Sequence, residues 1–231
     1  AILTVSLAVA KAAAISKKMP LYKYIAEISG TQPEDMNLPM PMMNVMNGGQ
    51  HALGATDIQE YMIVPIGASD FADAVRIGAE VFHALAKVLK EEDYPTTVGD
   101  EGGYAPRVKG GNLEPIRLIL RAIENAGYTP GADVALALDA ASSEFYSEED
   151  GMYNLATEGR KLTAGEMIDL YQKMINDYPL LSIEDGLDEE DWQNWQVLTS
   201  RIGQDVQLVG DDLLVTNTER LKRAIDEKAA N

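Results

Sequence analysis

The chain has 231 residues, 46% of them hydrophobic, so it can bury a substantial core as one large domain or two smaller ones. Its 37 acidic and 19 basic residues give a formal charge of -18, which argues against a nucleic-acid or anionic-membrane surface because phosphates are bound by clustered Lys and Arg. The absence of cysteine excludes disulfides and cysteine-ligated metal centres, and it is compatible with a cytoplasmic protein. The excess of carboxylates suits hard divalent cations instead.

The first 37 residues predict two helices. Ala1–Ser16 is alanine-rich, and Pro20–Gly30 has the pattern of a short helix that ends at glycine. The opening segment is too short for a membrane span and no basic region precedes it, so we interpret it as a buried amphipathic helix rather than a signal peptide. The polar segment Thr31–Asn37 contains Pro33 and predicts a domain boundary, which divides the chain into residues 1–37 and 38–231.

Two apolar runs open the second region. Pro39–Met46 and Ile58–Pro65 flank the turn signal Asn47-Gly48-Gly49, and no crossover helix fits between them, so we expect a hairpin-like strand pair. Helical spacing of apolar residues then predicts a helix from Ser69, as N-cap, to about Lys90, and a second helix over Leu113–Asn125.

Strands and helices alternate in the rest of the chain. Three apolar runs, each ending in a carboxylate, predict buried strands at Val134–Asp139, Leu180–Glu184 and Val206–Asp211. The intervening helices begin at the capping box Thr163-x-x-Glu166 and at Asp191, and a last helix covers about Thr218–Lys228. This alternation predicts an α/β fold with parallel strands and right-handed crossovers. A doubly wound sheet also satisfies it, but a barrel is favoured because barrel sites draw residues from the C-terminal ends of several strands.

In such a barrel the three strand-end acids converge on one face. Asp139, Glu184 and Asp211 would repel one another there, and the usual compensation is a bound divalent cation. An all-oxygen ligand set favours Mg²⁺ over Zn²⁺. Any one of these acids alone would be explained as a turn residue or a helix cap, but three at equivalent positions predict a metal site.

Two glycine-rich loops carry further candidates. The segment Val98–Pro106 places Glu101 among glycines 99, 102 and 103. Taken alone, this segment is more simply explained as an acidic surface turn. Together with the predicted metal site, it favours a loop that holds a ligand. His51 lies in a second such loop, near Gln59 and Glu60 in sequence, and is either a site residue or a solvated loop histidine.

Six segments, in this order, resemble the signatures of enolases, the lyases that interconvert 2-phosphoglycerate and phosphoenolpyruvate: Met43–His51, Asp57–Ile63, Val98–Gly103, Leu138–Phe145, Ser182–Asp185 and Val209–Leu213. Gly186 and the sequence of Gln207–Asp212 are more similar to bacterial than to eukaryotic enolases. The resemblance implies an enolase-type (β/α) barrel preceded by helices of the N-terminal domain, a homodimer or octamer, and a cytoplasmic enzyme of glycolysis with a second location at the cell surface.

The resemblance also assigns roles residue by residue. It makes Asp139, Glu184 and Asp211 the ligands of a tightly bound Mg²⁺, with Glu184 and Asp211 also facing the substrate and a second Mg²⁺ joining during turnover. It makes Glu101 the general acid that assists loss of the 3-hydroxyl, with Glu60 beside it and with Gln59 and His51 contacting the substrate. A like-charge neighbour would raise the pKa of one carboxyl in this group, as a proton donor requires.

The chain departs from the enolase pattern in three ways. Leu53-Gly54-Ala55 replaces residues that are commonly polar in the family. About five barrel strands are predicted where eight close a barrel, and the serine-bearing loop, the lysine base, the His-Arg-Ser motif and a further lysine of the family have no counterpart here. We therefore expect this chain alone to lack turnover.

Two alternative functions are considered. Another enolase-superfamily enzyme, a racemase or cycloisomerase, would carry a Lys-x-Lys pair on an early strand, and Val134–Asp139 has none. The other alternative is a non-catalytic surface binding module, which no specific feature favours.

Overall fold

The computed structural model describes residues 2–32 and 36–231, and the chain divides into two compact units after Pro39. The predicted helix start at Ala1, and residues 33–35 of the predicted boundary segment, lie outside the described residues. The first unit consists of helices α1 (Ile2–Ser16) and α2 (Leu21–Ser29), and α2 ends at Gly30 with a φ of 76°. The prediction that the first helix is buried is wrong. Its apolar side chains, among them Leu3, Val5, Leu7 and Val9, are more than half exposed.

The second unit contains eight strands and five helices in its described residues. The strands are β1 (Met43–Asn47), β2 (Glu60–Val64), β3 (Ala135–Asp139), β4 (Tyr146–Ser147), β5 (Met152–Leu155), β6 (Arg160–Leu162), β7 (Leu180–Glu184) and β8 (Gln207–Val209). The helices are α3 (Phe71–Glu91), α4 (Glu114–Asn125), α5 (Ala164–Asp177), α6 (Trp192–Ile202) and α7 (Thr218–Glu227). The helices α3 to α6 are amphipathic, each with an apolar stripe in the core, whereas α7 buries only Ala224.

The main sheet has five strands in the order β1-β2-β3-β7-β8. The predicted α/β class and the count of five barrel strands are confirmed, and the sheet stays open because β1 and β8 do not pair within the described residues. The strands β3, β7 and β8 are parallel, as single-helix crossovers require. In contrast, β2 is antiparallel to both of its neighbours. Two helices rather than one separate β2 from β3, so the chain enters β3 from the opposite end of the sheet.

A second, three-stranded antiparallel sheet, β4-β5-β6, lies between β3 and α5 and is absent from the predictions. Its strands are two to four residues long, too short to give a clear alternation of apolar and polar residues.

The helix boundaries follow local capping chemistry. Thr163 and Glu166 form the predicted capping box of α5, and Asp191 caps α6. The cap of α3 is Asp70, whose side chain accepts from the Asp73 N–H, and not the predicted Ser69. No helix among the described residues combines the length and the apolar character that crossing a bilayer requires.

Candidate active site

One row of residues crosses the main sheet at a single end. Paired positions run from Asn47 on β1 to Glu60 on β2, Asp139 on β3, Glu184 on β7 and Val209 on β8. Glu60 is the first residue of its strand whereas the other four are the last, and it joins the row because β2 runs antiparallel. Since neighbouring strands lie about 4.8 Å apart, one amide and three carboxyl groups stand side by side at this end of the sheet.

The strand-end acids crowd one another. Burial raises the pKa of Glu184 to about 7, and the charges of Asp139, Asp185, Asp211 and Glu60 add to the rise. Burial likewise raises the pKa of Asp139 to about 6, with a further rise from Glu60 and an opposing contribution from the Ala141 N–H, which donates to Oδ1 at 3.0 Å. The prediction that Asp211 ends its strand is wrong: β8 ends at Val209, which pairs with Glu184, and Asp211 lies two residues beyond it and is exposed.

This crowding fits a hard cation. Asp139, Glu184 and Asp211 offer only oxygen ligands, and a divalent cation would relieve the mutual repulsion that raises the pKa of Glu184. The candidate ligand atoms of these three acids are more widely spread than those of a second group of side chains. Within the described residues, His51, Glu60 and Glu101 are the one set of three such side chains whose candidate ligand atoms all lie within 4.8 Å of one another.

That second group pairs an imidazole with two carboxyl groups. The Nδ1 atom of His51 lies 3.1 Å from Oε1 of Glu60, and both side chains are largely buried. Burial raises the pKa of Glu60, the neighbouring His51 lowers it, and the charge of Glu101 raises it. Glu60 is partly buried in this group, while Glu101 is exposed and faces solvent.

The loop that carries Glu101 is docked on the free edge of β1. The Asn47 N–H donates to the Tyr104 carbonyl oxygen and the Tyr104 N–H donates to the Val45 carbonyl oxygen, both at 2.9 Å. Val45 lies where the register of β1 shifts, a β-bulge that leaves its carbonyl free for this bond. The ring of Tyr104 stacks on Phe82 of α3 with centroids 4.4 Å apart.

Glycine is required for this docking. A Cβ atom on Gly103 would lie 2.3 Å from Oδ1 of Asn47 and 2.9 Å from the Met46 nitrogen, and Gly102 has a φ of 82°. The Asp100 N–H also donates to the His51 carbonyl oxygen at 3.3 Å, which joins the two glycine-rich loops. The sequence thus brings Glu101 beside Glu60 and His51 through backbone contacts that only glycine permits.

A buried network fixes the entry to β2. Oδ1 of Asn112 accepts the N–H groups of Asp57 (2.8 Å) and Ile58 (3.2 Å). The Gln59 N–H donates to the Asp139 carbonyl oxygen at 3.1 Å, and the Gln59 side chain lowers the pKa of Asp139. Gln59 therefore connects the Glu60 group to the strand-end acids.

Sequence reasoning missed three polar residues at this end of the sheet. The Asn47 side chain is 2% exposed, and both of its amide atoms lack a hydrogen-bond partner among the described residues. Asp185 is also buried, and burial raises its pKa to about 7. Asp212 is half-buried, and burial raises its pKa as well. The sequence signal for Asp185 and Asp212 was that each directly follows another acid, in the pairs 184–185 and 211–212. Only the first acid of each pair was predicted to be a site residue.

A comparison with known protein families identifies the family of the chain. The family model described as "Enolase, C-terminal TIM barrel domain" matches residues 35–231. The match covers most of the chain and includes every candidate residue named above, from His51 to Asp212. The chain therefore belongs to the enolase C-terminal TIM barrel domain family.

Proposed function

We propose that the chain is part of a bacterial-type enolase that catalyses the Mg²⁺-dependent, reversible dehydration of 2-phosphoglycerate to phosphoenolpyruvate. The observation that carries the proposal is the row Glu60, Asp139 and Glu184 on adjacent strands, with Glu101 docked beside it. This row supports the proposal because removal of a proton α to a carboxylate, followed by loss of a hydroxyl, requires an acid–base group next to a cation site.

In this proposal Asp139, Glu184 and Asp211 hold the Mg²⁺. The cation supplies positive charge that stabilises the negative charge developing on the substrate carboxylate. Asp139 and Glu184 are preorganised for it, since ladder hydrogen bonds hold both of their strand ends, and Asp211 lies in the segment that follows β8.

The second group handles the leaving hydroxyl. Glu101 donates a proton to the 3-hydroxyl oxygen as the C–O bond breaks, and the product is water. Glu60, whose pKa is raised by burial, lies beside Glu101 with its Oε1 atom 3.1 Å from Nδ1 of His51. Gln59 and His51 contact the substrate. None of the described residues is proposed as the base that accepts the α-proton.

The test is the effect of Glu101→Gln on conversion of 2-phosphoglycerate, followed by product absorbance on the protein as isolated from its host. We expect Mg²⁺-dependent turnover that falls at least about 100-fold in the variant, the lower range for loss of a general acid. Glu149→Gln makes the same chemical change at an exposed position outside the site and should leave the rate unchanged.

Activity of the Glu101→Gln variant within about tenfold of wild type would refute the role of Glu101. Absence of any conversion, with Mg²⁺ binding intact, would instead indicate another reaction of the enolase superfamily.

A further inference from the structure

Asp185, the residue after Glu184, has an unusual backbone for its type. Its φ is 45°, in the left-handed region that non-glycine residues rarely adopt, and its side chain is 3% exposed. Holding such a conformation is destabilising, and burying a carboxyl group beside other acids adds to the cost. Such a residue persists only where the surrounding contacts fix it.

Those contacts join three strand ends. The Asp185 N–H donates to the Val209 carbonyl oxygen at 2.9 Å, and its own carbonyl oxygen accepts the Ser142 N–H at 3.0 Å. Its side-chain Oδ2 accepts the Asp212 N–H at 3.0 Å. The partners are therefore the last residue of β8 and residues in the segments that follow β3 and β8, and Asp185 itself follows β7.

Each bond ends close to one of the proposed metal ligands. Ser142 is three residues after Asp139, while Val209 and Asp212 flank Asp211. Asp211 lies beyond the last ladder position of β8, so ladder hydrogen bonds do not fix it as they fix Asp139 and Glu184. The bond from Asp212 to the Asp185 carboxyl group is the side-chain contact that holds this turn against β7.

We infer that Asp185 is a positioning residue that holds the Asp211 turn at a fixed place relative to Glu184 and Asp139 and thereby sets the Mg²⁺ affinity of the site. The inference rests on the proposed function in taking these three carboxylates as the metal ligands. Groups that orient metal ligands typically contribute 10–100-fold to metal affinity.

Two substitutions separate the hydrogen bond from the backbone conformation. Asp185→Gly removes the acceptor but suits the left-handed backbone, and Asp185→Asn keeps an acceptor oxygen of the same shape and also tolerates that backbone. Val88→Ala, in the core of α3, is the control for loss of stability away from the site. The probe is Mg²⁺ alone, measured by calorimetry, together with amide hydrogen exchange of Asp212 in EDTA.

We expect Asp185→Gly to weaken Mg²⁺ binding by about tenfold or more and to speed exchange at Asp212, and Asp185→Asn to change affinity by less than about tenfold. Val88→Ala should lower the melting temperature without moving either quantity. Unchanged exchange at Asp212 in Asp185→Gly, or equal loss of affinity in both variants, would overturn the inference. A wild-type chain that binds no Mg²⁺ would overturn the proposed function as well, whereas normal binding in Asp185→Gly would overturn only the positioning role.

Discussion

Asp139 and Glu184 are the residues through which pH acts most directly on the site. Their pKa values in the folded chain, about 6 and about 7, exceed the ordinary values of 3.8 and 4.5, with burial as the main cause. The folded state therefore binds more protons than the unfolded state between these limits. It follows that their contribution to the free energy of unfolding is largest at low pH and is lost as pH rises through the folded pKa values.

We predict that this loss of stability appears as a difference in melting temperature between wild type and the Asp139→Asn variant. In EDTA, the melting temperature of wild type should fall relative to that of Asp139→Asn as pH rises from about 4 to about 7, because only wild type must then ionise the buried carboxyl group of Asp139. Exposed acids with lowered pKa values, such as Glu166, act in the opposite direction but are common to both proteins. Calorimetric scans across this range measure the difference.

Excess Mg²⁺ should remove most of this pH dependence from wild type, because a cation favours the ionised carboxylates. A difference between the two proteins that is constant with pH in EDTA would contradict the account of Asp139.

At the scale of elements, the glycine-rich loop shows how a segment without regular structure is held in place. Tyr104 pairs with β1 as a one-residue extension of the sheet, and its ring packs on α3. Glu101 is therefore carried by a segment that is anchored on both the sheet and a helix, and its position depends on the close approach of Gly103 to Asn47.

We predict that Gly103→Ala displaces this loop. The added Cβ would lie 2.3 Å from Oδ1 of Asn47, so the Tyr104 N–H should lose its bond to Val45 and exchange faster in hydrogen-exchange measurements. Gly165→Ala on α5 is the matched control, since its added Cβ would come no nearer than 3.9 Å to the atoms around it. Equal protection of Tyr104 in wild type and in Gly103→Ala would show that the close approach does not hold the loop.

Local sequence patterns predicted where the strands and helices lie better than they predicted how the strands pair. The strands that end in Asp139 and Glu184, the α5 capping box and the antiparallel pair of β1 and β2 follow from periodicity, capping and turn signals alone. The antiparallel pairing of β2 with β3 does not follow from them, because it depends on how two helices pack between strands that are distant in sequence. The docking of Tyr104 on a bulge was equally beyond local patterns, since it depends on a register shift.

For the whole molecule, the candidate site is assembled from segments that span residues 47 to 212. The resemblance to enolases placed His51, Gln59, Glu60 and Glu101 together, whereas spacing alone had given His51 and Glu101 only as candidates. Strand-end position alone predicted the convergence of Asp139 and Glu184. Neither approach identified Asp185, whose importance lies in a backbone angle and in contacts between chain segments.

The most direct test of the central claim is a calorimetric titration of the chain with Mg²⁺, comparing wild type with Asp139→Asn. Asp205→Asn removes one negative charge at an exposed position away from the row and controls for the high net charge of -18. We predict one saturable Mg²⁺ site in wild type and in Asp205→Asn, and its loss in Asp139→Asn. Equal Mg²⁺ binding by wild type and Asp139→Asn would contradict the assignment of the strand-end carboxylates as the metal site.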